Sequence, residues 1–376
     1  MTRIEHISEV LPHVKDRKEF VIAERDGYTV IDYTVAFADS FNHPILRECR
    51  GLKFNNDGDL IARPFGKFFN IGERETTQPH LIDFSKPHII MDKLDGSMIH
   101  PCIVGNEIVF MTRMGRSNVA RQAEKLFLSS ELSAFCRVNL LRGITPIFEY
   151  TGPKNRIIIK YAEPSLTLLA ARETISGRYL PHDELERVAT SLNISLIPLI
   201  HNEWSDALAF LGFVRVLQGK EGFVIHFDPE HEEEPERLLL KCKGEDYVLK
   251  HKTKDALHME KNVLAIILQN GLDDVLPLLI EEDIAAVEAY RKAVQDGMSA
   301  TVAKLEQLVQ DGANLDQKTF AVEHLAGVPS DLRGLAFSVR RSGSAEDEVK
   351  KFLLKNCGTQ TAVDSVRHFF GADFTI

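Results

Sequence analysis

The sequence predicts an α+β protein: an antiparallel-sheet domain over residues 1–253, followed by an all-helical domain over residues 254–376. Three observations lead there. Short β-rich runs separated by turn dipeptides fill residues 20–250, helical stretches are interposed among them, and after residue 254 the apolar spacing becomes that of helices. Antiparallel hairpins mixed with helices fit an α+β arrangement, not a doubly wound parallel sheet.

The turn signals are Asp26-Gly27, Asp57-Gly58, Asp95-Gly96 and Gly105-Asn106, each between apolar or alternating segments. Residues 104–113 and 222–243 read as hairpins, the second with an acidic loop at 230–236. Residues 118–135 and 183–192 read as helices. Further on, Leu257, Val263, Leu264, Ile267 and Leu268 fall at helical spacing, as do Ile284, Val287, Ala293 and Val294. Gly271, Gly297 and Gly312 each follow such a run, where a glycine ends a helix. There is no repeat of fixed period. No G-x-G-x-x-G or G-x-x-x-x-G-K-[ST] occurs, so neither a Rossmann nor a P-loop reading has support.

A chain of 376 residues, 44% hydrophobic and 27% charged, has the composition of a soluble globular protein of two or three domains. Its longest apolar runs, such as 263–268, are far too short for a membrane span, and no apolar signal region opens the chain. The five cysteines (Cys49, Cys102, Cys136, Cys242, Cys357) are scattered without the close spacing of a zinc site. A reducing, cytoplasmic location is the expectation. The net charge of −10 argues against simple electrostatic binding of nucleic acid. The acidity is uneven, however. Residues 255–376 hold 12 Lys+Arg against 19 Asp+Glu, whereas residues 1–254 hold 33 against 36. A local positive groove in the first part stays compatible with the sum.

The chemistry centres on His88-Ile-Ile-Met-Asp92-Lys93-Leu-Asp95-Gly96-Ser97. An apolar strand delivers a lysine, and a tight turn follows. A nucleophilic lysine at a strand end needs nearby cations or desolvation, because the free ammonium has no lone pair to offer. The competing reading is a hairpin turn with a solvated lysine beside it. Downstream, alternation in Leu239-Leu-Lys241-Cys242-Lys243 puts both lysines on one face and Cys242 on the other. Two ammonium groups on one face suit a phosphate, although an edge strand with solvated lysines has the same pattern. Glu149 and Glu221 sit at or beside strongly apolar strands, where a carboxylate needs a cation, a metal or a ribose hydroxyl. Two such oxygen ligands suit Mg²⁺, held mainly through its waters. Upstream, Glu48-Cys-Arg50-Gly51 and Arg63-Pro-Phe-Gly-Lys67-Phe-Phe-Asn70 lodge cations among aromatics, as an anionic ligand or a structural ion pair would require. Thr112-Arg113-Met-Gly115 is a weaker cluster of that kind, and Asn155-Arg156 is placed on the rim of the same cleft.

Taken in order, these pieces resemble the covalent nucleotidyltransferases (DNA ligases, RNA ligases and capping guanylyltransferases), and most closely the phage T4 RNA ligase 1 family. Lys93-Leu-Asp-Gly-Ser97 resembles the nucleophile motif, and Thr112-Arg113-Met-Gly115, Phe148-Glu149-Tyr150, Glu221-Gly-Phe-Val224 and Lys241-Cys-Lys243 resemble the later motifs. Glu48-Cys-Arg50-Gly51, the 63–70 segment and Pro153-Lys-Asn-Arg156 resemble the RNA ligase 1 branch in particular. The resemblance covers roughly residues 40–250 and implies an antiparallel-sheet adenylyltransferase domain. It implies that Lys93 takes AMP from ATP, that Lys241 and Lys243 contact the α-phosphate, and that Arg50 and Lys67 hold the outer phosphates. Asp92 and Arg113 join the nucleotide-binding set. Glu149 and Glu221 contact the nucleoside or Mg²⁺, with Mn²⁺ an alternative. The implied partner is RNA with 5′-phosphate and 3′-hydroxyl ends, such as a broken tRNA; no membrane or protein partner is indicated. Three other readings stand beside it. DNA ligases and capping enzymes usually append an OB-fold where this chain turns helical. A non-catalytic RNA-end-binding protein on a ligase fold would need a defect that the candidate positions do not display. A chance set of motifs would need several coincidences in order.

Overall fold

The computed structural model describes residues 2–126, 130–201, 204 and 206–374. The chain divides into two compact units, Met1–Val248 and Leu249–Ile376. A helix, Glu245–Leu257, runs across the division. Among the described residues no helix is long and apolar enough to cross a membrane.

Three sheets build the first unit. One is a meander of β1 (Phe20–Arg25), β2 (Tyr28–Tyr33), β3 (Leu52–Phe54) and β4 (Leu60–Ala62). Asp26-Gly27 and Asp57-Gly58 make the turns between β1 and β2 and between β3 and β4, with both glycines at positive φ. A second sheet has the order β10-β9-β7-β8, formed by β7 (Ser97–Val104), β8 (Glu107–Met111), β9 (Ile144–Thr151) and β10 (Ser165–Glu173). The third has the order β11-β6-β12-β13-β5. Its members are β5 (Phe69–Asn70), β6 (His88–Lys93), β11 (Leu199–Ile200), β12 (Gly222–Phe227) and β13 (Leu239–Lys243). Among the described residues, the named strands pair antiparallel except β13 with β5.

The expected hairpin at 104–113 is larger than its sequence signal. Its turn is Gly105-Asn106, but its first arm is β7 from Ser97 onward, because Val104 through His100 pair with Glu107 through Met111. The 222–243 hairpin forms as β12 and β13, with residues 228–238 as its connection. The helix expected over 118–135 is instead Asn118–Glu124 and Ser130–Leu141, and residues 127–129 lie outside the described set. The helix expected over 183–192 is His182–Ser191. All five cysteines are buried free thiols.

The second unit is helical, around a core that includes Val263, Leu264, Ile267, Leu268, Val287, Val294, Leu335 and Val349. Its longest helix, Glu281–Asp311, has 31 residues and buries Asp283, Val287, Tyr290 and Val294 at spacings of four and three. Ala293 faces solvent, which shows the limit of reading a stripe from hydrophobicity alone. Two of the three expected helix-ending glycines behave otherwise. Gly297 lies inside Glu281–Asp311, where a Cβ would come within 1.9 Å of the Phe370 carbonyl, so close packing and not termination explains it. After Glu260–Leu268 the left-handed residue is Asn270 (φ 57°), one before Gly271. Gly312 does cap its helix, with φ −95°.

Candidate functional site

Strand register builds the site. Lys93 pairs with Gly222, which pairs with Lys243; Met91 pairs with Val224, which pairs with Lys241. Because side chains alternate along a strand, Met91, Lys93, Val224, Lys241 and Lys243 share one face of the third sheet. Phe223 and Cys242 point to the opposite face and are buried there. β13 has β12 on one side and the two-residue β5 on the other, so Lys241 belongs to a paired strand and not an open edge. The face floors a cavity of about 280 Å³. Glu149 from β9 reaches it, with Arg50, Lys67, Tyr33, Phe65 and Phe68 as walls and Leu169 and Ile197 adding apolar surface. Apolar and aromatic side chains with convergent charges among them are a usual lining for a small-molecule site.

The turn after Lys93 is not a hairpin. β6 and β7 belong to different sheets, and Asp95-Gly96 lies where they part. A Cβ on Gly96 would come within 2.3 Å of the Tyr150 carbonyl, so the approach of β9 demands glycine. Asp95 is fully buried and works as a hub. Its Oδ2 accepts from the amides of Ile158 (2.8 Å) and Ile159 (2.7 Å), and its Oδ1 accepts from the Tyr247 hydroxyl at 2.6 Å. Its own amide donates to the Tyr161 hydroxyl at 3.0 Å. Asn155 accepts from Ser97 Oγ at 3.2 Å and donates to the Tyr150 carbonyl, which places the 153–156 loop beside that turn.

The charges in the cavity are unevenly compensated. Lys93 Nζ lies 2.7 Å from Glu221 Oε1, and Lys243 Nζ lies 2.8 Å from the same oxygen. Burial pushes the Glu149 carboxyl up to about 7; Lys93 opposes the shift and Glu221 adds to it. Burial, together with Lys67, Arg50 and Lys93 nearby, pulls the Lys241 ammonium down to about 7. Burial also lowers the Arg50 guanidinium, whose Nη1 donates to the Phe65 carbonyl at 3.3 Å. Lys67 Nζ stands between the rings of Tyr33, Phe41 and Phe69, at 5.6, 5.2 and 5.5 Å from their centroids. Asp92 lines the cavity and takes Lys220 Nζ at 2.9 and 3.0 Å. Cations crowded together in a partly desolvated pocket favour an anionic ligand that cancels their repulsion.

Of the residues singled out from sequence, Lys93, Arg50, Lys67, Asp92, Glu149, Lys241 and Lys243 line this one cavity. Glu221 lies behind it, 3% exposed, gripped by two of the lysines. Arg113 is a layer further out. Its guanidinium pairs with Asp32 at 2.6 Å and stacks over the ring of Tyr33, itself a cavity wall. Arg63 is fully buried away from the cavity and pairs with Glu48 at 3.0 Å. The structural ion pair is therefore the reading that holds for Arg63. Sequence reasoning passed over Tyr33, Lys220, Tyr161 and Tyr247, since nothing local to any of them marks a tertiary partner. As for a metal, no group of three or more His, Cys, Asp or Glu is placed to hold one among the described residues. Glu149 and Glu221 still interact with each other, and a cation between them would relieve the raised Glu149. Two carboxylates suffice for a magnesium-type ion that keeps most of its waters.

Residues 48–257 match the family model described as RNA ligase. Among curated relatives, RNA ligase 1 of bacteriophage TS2126 is 25% identical over 86% of this chain and 74% of its own length. A Thermovibrio ammonificans protein provisionally named an RNA ligase is 27% identical over 84% of this chain and 83% of its own. Among solved structures, an archaeal ATP-dependent RNA ligase gives a TM-score of 0.47 at 19% identity, over 66% of this chain and 64% of that one. A superposition that partial carries no functional argument.

Proposed function

The chain belongs to the RNA ligase family and is an enzyme of that class, and on this premise we propose that it is ATP-dependent and works through a lysyl-AMP intermediate on Lys93. The observation that carries the reading is the position of Lys93. It ends an apolar strand, on a cavity face shared with Lys241 and Lys243, with Arg50 and Lys67 in the walls. In the first step Lys93 Nζ attacks the α-phosphorus of ATP. An N–P bond forms, the bond from the α-phosphorus to the bridging oxygen breaks, and pyrophosphate leaves with that electron pair. The amine must shed a proton, and Glu221 Oε1, at 2.7 Å, is the acceptor within reach. Lys241 and Lys243 face the α-phosphate, while Arg50 and Lys67 hold the outer phosphates in line. Met91, Val224, Leu169 and Ile197 offer the apolar surface that a nucleobase requires. Asp92 and Arg113 complete the nucleotide set, Arg113 by backing Tyr33. Glu149 and Glu221 are the residues to hold Mg²⁺, or Mn²⁺ in its place, which would neutralise charge on the phosphates.

In the second step the AMP passes from Lys93 to an RNA 5′-phosphate, exchanging the N–P bond for a P–O–P linkage. In the third, a 3′-hydroxyl attacks the 5′-phosphorus, AMP departs, and the phosphodiester is formed. The proposed setting is repair of broken RNA, tRNA included, in the cytoplasm.

Intact mass after incubation with ATP and Mg²⁺ tests the central step, beside Lys93→Ala and a GTP control. Protein stripped with pyrophosphate should gain one AMP, and neither the variant nor the GTP sample should. No gain on stripped wild type would remove the lysyl-AMP chemistry. Comparing ligation of nicked tRNA with linear RNA then tests the substrate.

A further inference from the structure

Lys53 is a charged side chain that none of the steps above uses, and it has no exposure to solvent at all. On β3 it alternates with Leu52 and Phe54, which enter one core cluster. Its own side chain therefore lies on the opposite face, the one it shares with Val30 and Ala62, its partners on β2 and β4. Its ammonium donates to three main-chain carbonyls: Gly51 at 2.7 Å, Arg113 at 2.7 Å and Thr112 at 3.0 Å. The first belongs to the residue after Arg50, a cavity wall. The other two belong to the turn that carries Arg113, whose guanidinium backs Tyr33, another wall. Between them the fit is close. Gly51 has φ +89°, and a Cβ there would meet the Arg113 carbonyl at 2.9 Å and Lys53 Nζ at 3.2 Å.

Burying an ammonium is costly unless its donors are matched, and an apolar residue would fill this sheet face without that cost. The groups facing it are Asp32 from β2, Cys102 and His100 from β7, and Arg113 from the turn. Asp32 is the one carboxylate in that set, and its Oδ1 is engaged by Arg113 while its Oδ2 has no hydrogen-bond partner. Burial draws the Lys53 ammonium down to about 7 in spite of Asp32, so the fold tolerates this charge and is not stabilised by it. What three carbonyl contacts do achieve is to lock two chain segments that approach from different sheets.

We propose that Lys53 is a positioning residue for the nucleotide: its ammonium clasps the Arg50–Gly51 segment to the Thr112–Arg113 turn and so fixes the wall that orients the outer phosphates of ATP. The inference rests on the ATP-dependent reading above, and it assigns Lys53 to the first step alone. Sealing of RNA that already carries AMP on its 5′ end needs no outer phosphates.

The test separates the steps. In Lys53→Met, Lys93 adenylylation should fall ~10-fold or more with a raised apparent KM for ATP, since small displacements of a positioning group cost that much. Sealing of pre-adenylylated RNA should stay within about twofold of wild type. Val30→Ala, which opens a cavity beside Lys53 without touching the clasp, should cost thermal stability and yet move both steps equally little. If Lys53→Met does not fold, Gly51→Ala, which intrudes between the ammonium and the Arg113 carbonyl, is read in the same way. A folded clasp variant that loses both steps in parallel, or neither, overturns the assignment of Lys53. Wild type that takes up no AMP overturns the ATP reading instead, so the two failures are distinct.

Discussion

The cluster of buried charge around Glu48 and that of the cavity, both in the first unit, are built on opposite principles. In one, Glu48 receives Arg172 at 2.7 and 2.8 Å and Arg63 at 3.0 and 3.2 Å. The remaining guanidinium donors end on carbonyls of Thr2, Pro64, Thr174, Ile175 and Gly177. Against the burial that would raise it, Arg172 and Arg63 hold the Glu48 carboxyl down at about 2. In the other cluster, the cavity, Glu149 is driven up to about 7 and Lys241 down to about 7. The same residue types are satisfied in one place and frustrated in the other. Frustrated charge in a cleft is what a ligand can relieve, and satisfied charge is what a fold can rest on.

That contrast is open to attack, the heaviest blow first. Arg172→Met leaves Glu48 with Arg63 as its remaining partner and should cost ~3 kcal/mol of stability in urea melts, the low end for breaking a buried pair. A loss under ~1 kcal/mol would put this cluster in the same class as surface pairs. Lys241→Met should slow Lys93 adenylylation ~10²–10³-fold, as loss of a preorganised group at developing charge does. Near neutral pH it should leave the melting temperature unchanged or raised; a drop like that of Arg172→Met would erase the distinction. Glu149→Gln should show its effect as a pH slope. With its carboxyl raised, the native protein holds a proton that the unfolded chain releases between the usual carboxylate range and about 7. The stability contributed by this carboxyl therefore falls as pH rises through that window, against the opposite trend set by partly buried His226, and the difference between the melting curves of wild type and the Gln variant should carry that slope. Smallest of all, Lys220→Ala removes a half-exposed partner of Asp92 and should change stability by less than ~1 kcal/mol. A larger loss would mean that the rim beside Lys93 is more tightly held than its exposure indicates.

Much of the cavity was legible because it is written in strand period. Lys241 and Lys243 must face one way and Cys242 between them the other, and Lys93 ends an apolar run. What sequence could not separate were cations with the same local company. Arg50, Arg63 and Lys67 all sit among apolar and aromatic neighbours, yet Arg63 is claimed by Glu48 and by carbonyls from the N-terminus and from residues 174–175. Partners that distant in sequence leave no trace in a motif. Arg113 is a similar case, since Asp32 and Tyr33 decide its place. In the sheet region the Asp-Gly turns marked β1–β2 and β3–β4 correctly, but the one at Asp95 joins strands of two different sheets. The same dipeptide serves both purposes, and only the close approach of β9 at Gly96 tells them apart. Gly297 misled for a related reason, being needed by a neighbour and not by a helix end.

The parting of β6 and β7 has a bearing on how such a site can change over generations. Lys93 ends a strand of one sheet, and four residues later Ser97 begins a strand of another, paired with Tyr150. Exchanging side chains around the cavity alters what it accepts and leaves both pairings alone. Adding or deleting one residue within Ile89–Lys93 must instead slip β6, and a slip of one turns inward faces outward, while the link from Lys93 to Ser97 is pinned by the buried Asp95 and by Gly96 against the Tyr150 carbonyl. The lining is thus free to diverge by substitution while the spacing from lysine to serine is held fixed, so a lineage can change its substrate far more readily than it can move its nucleophile.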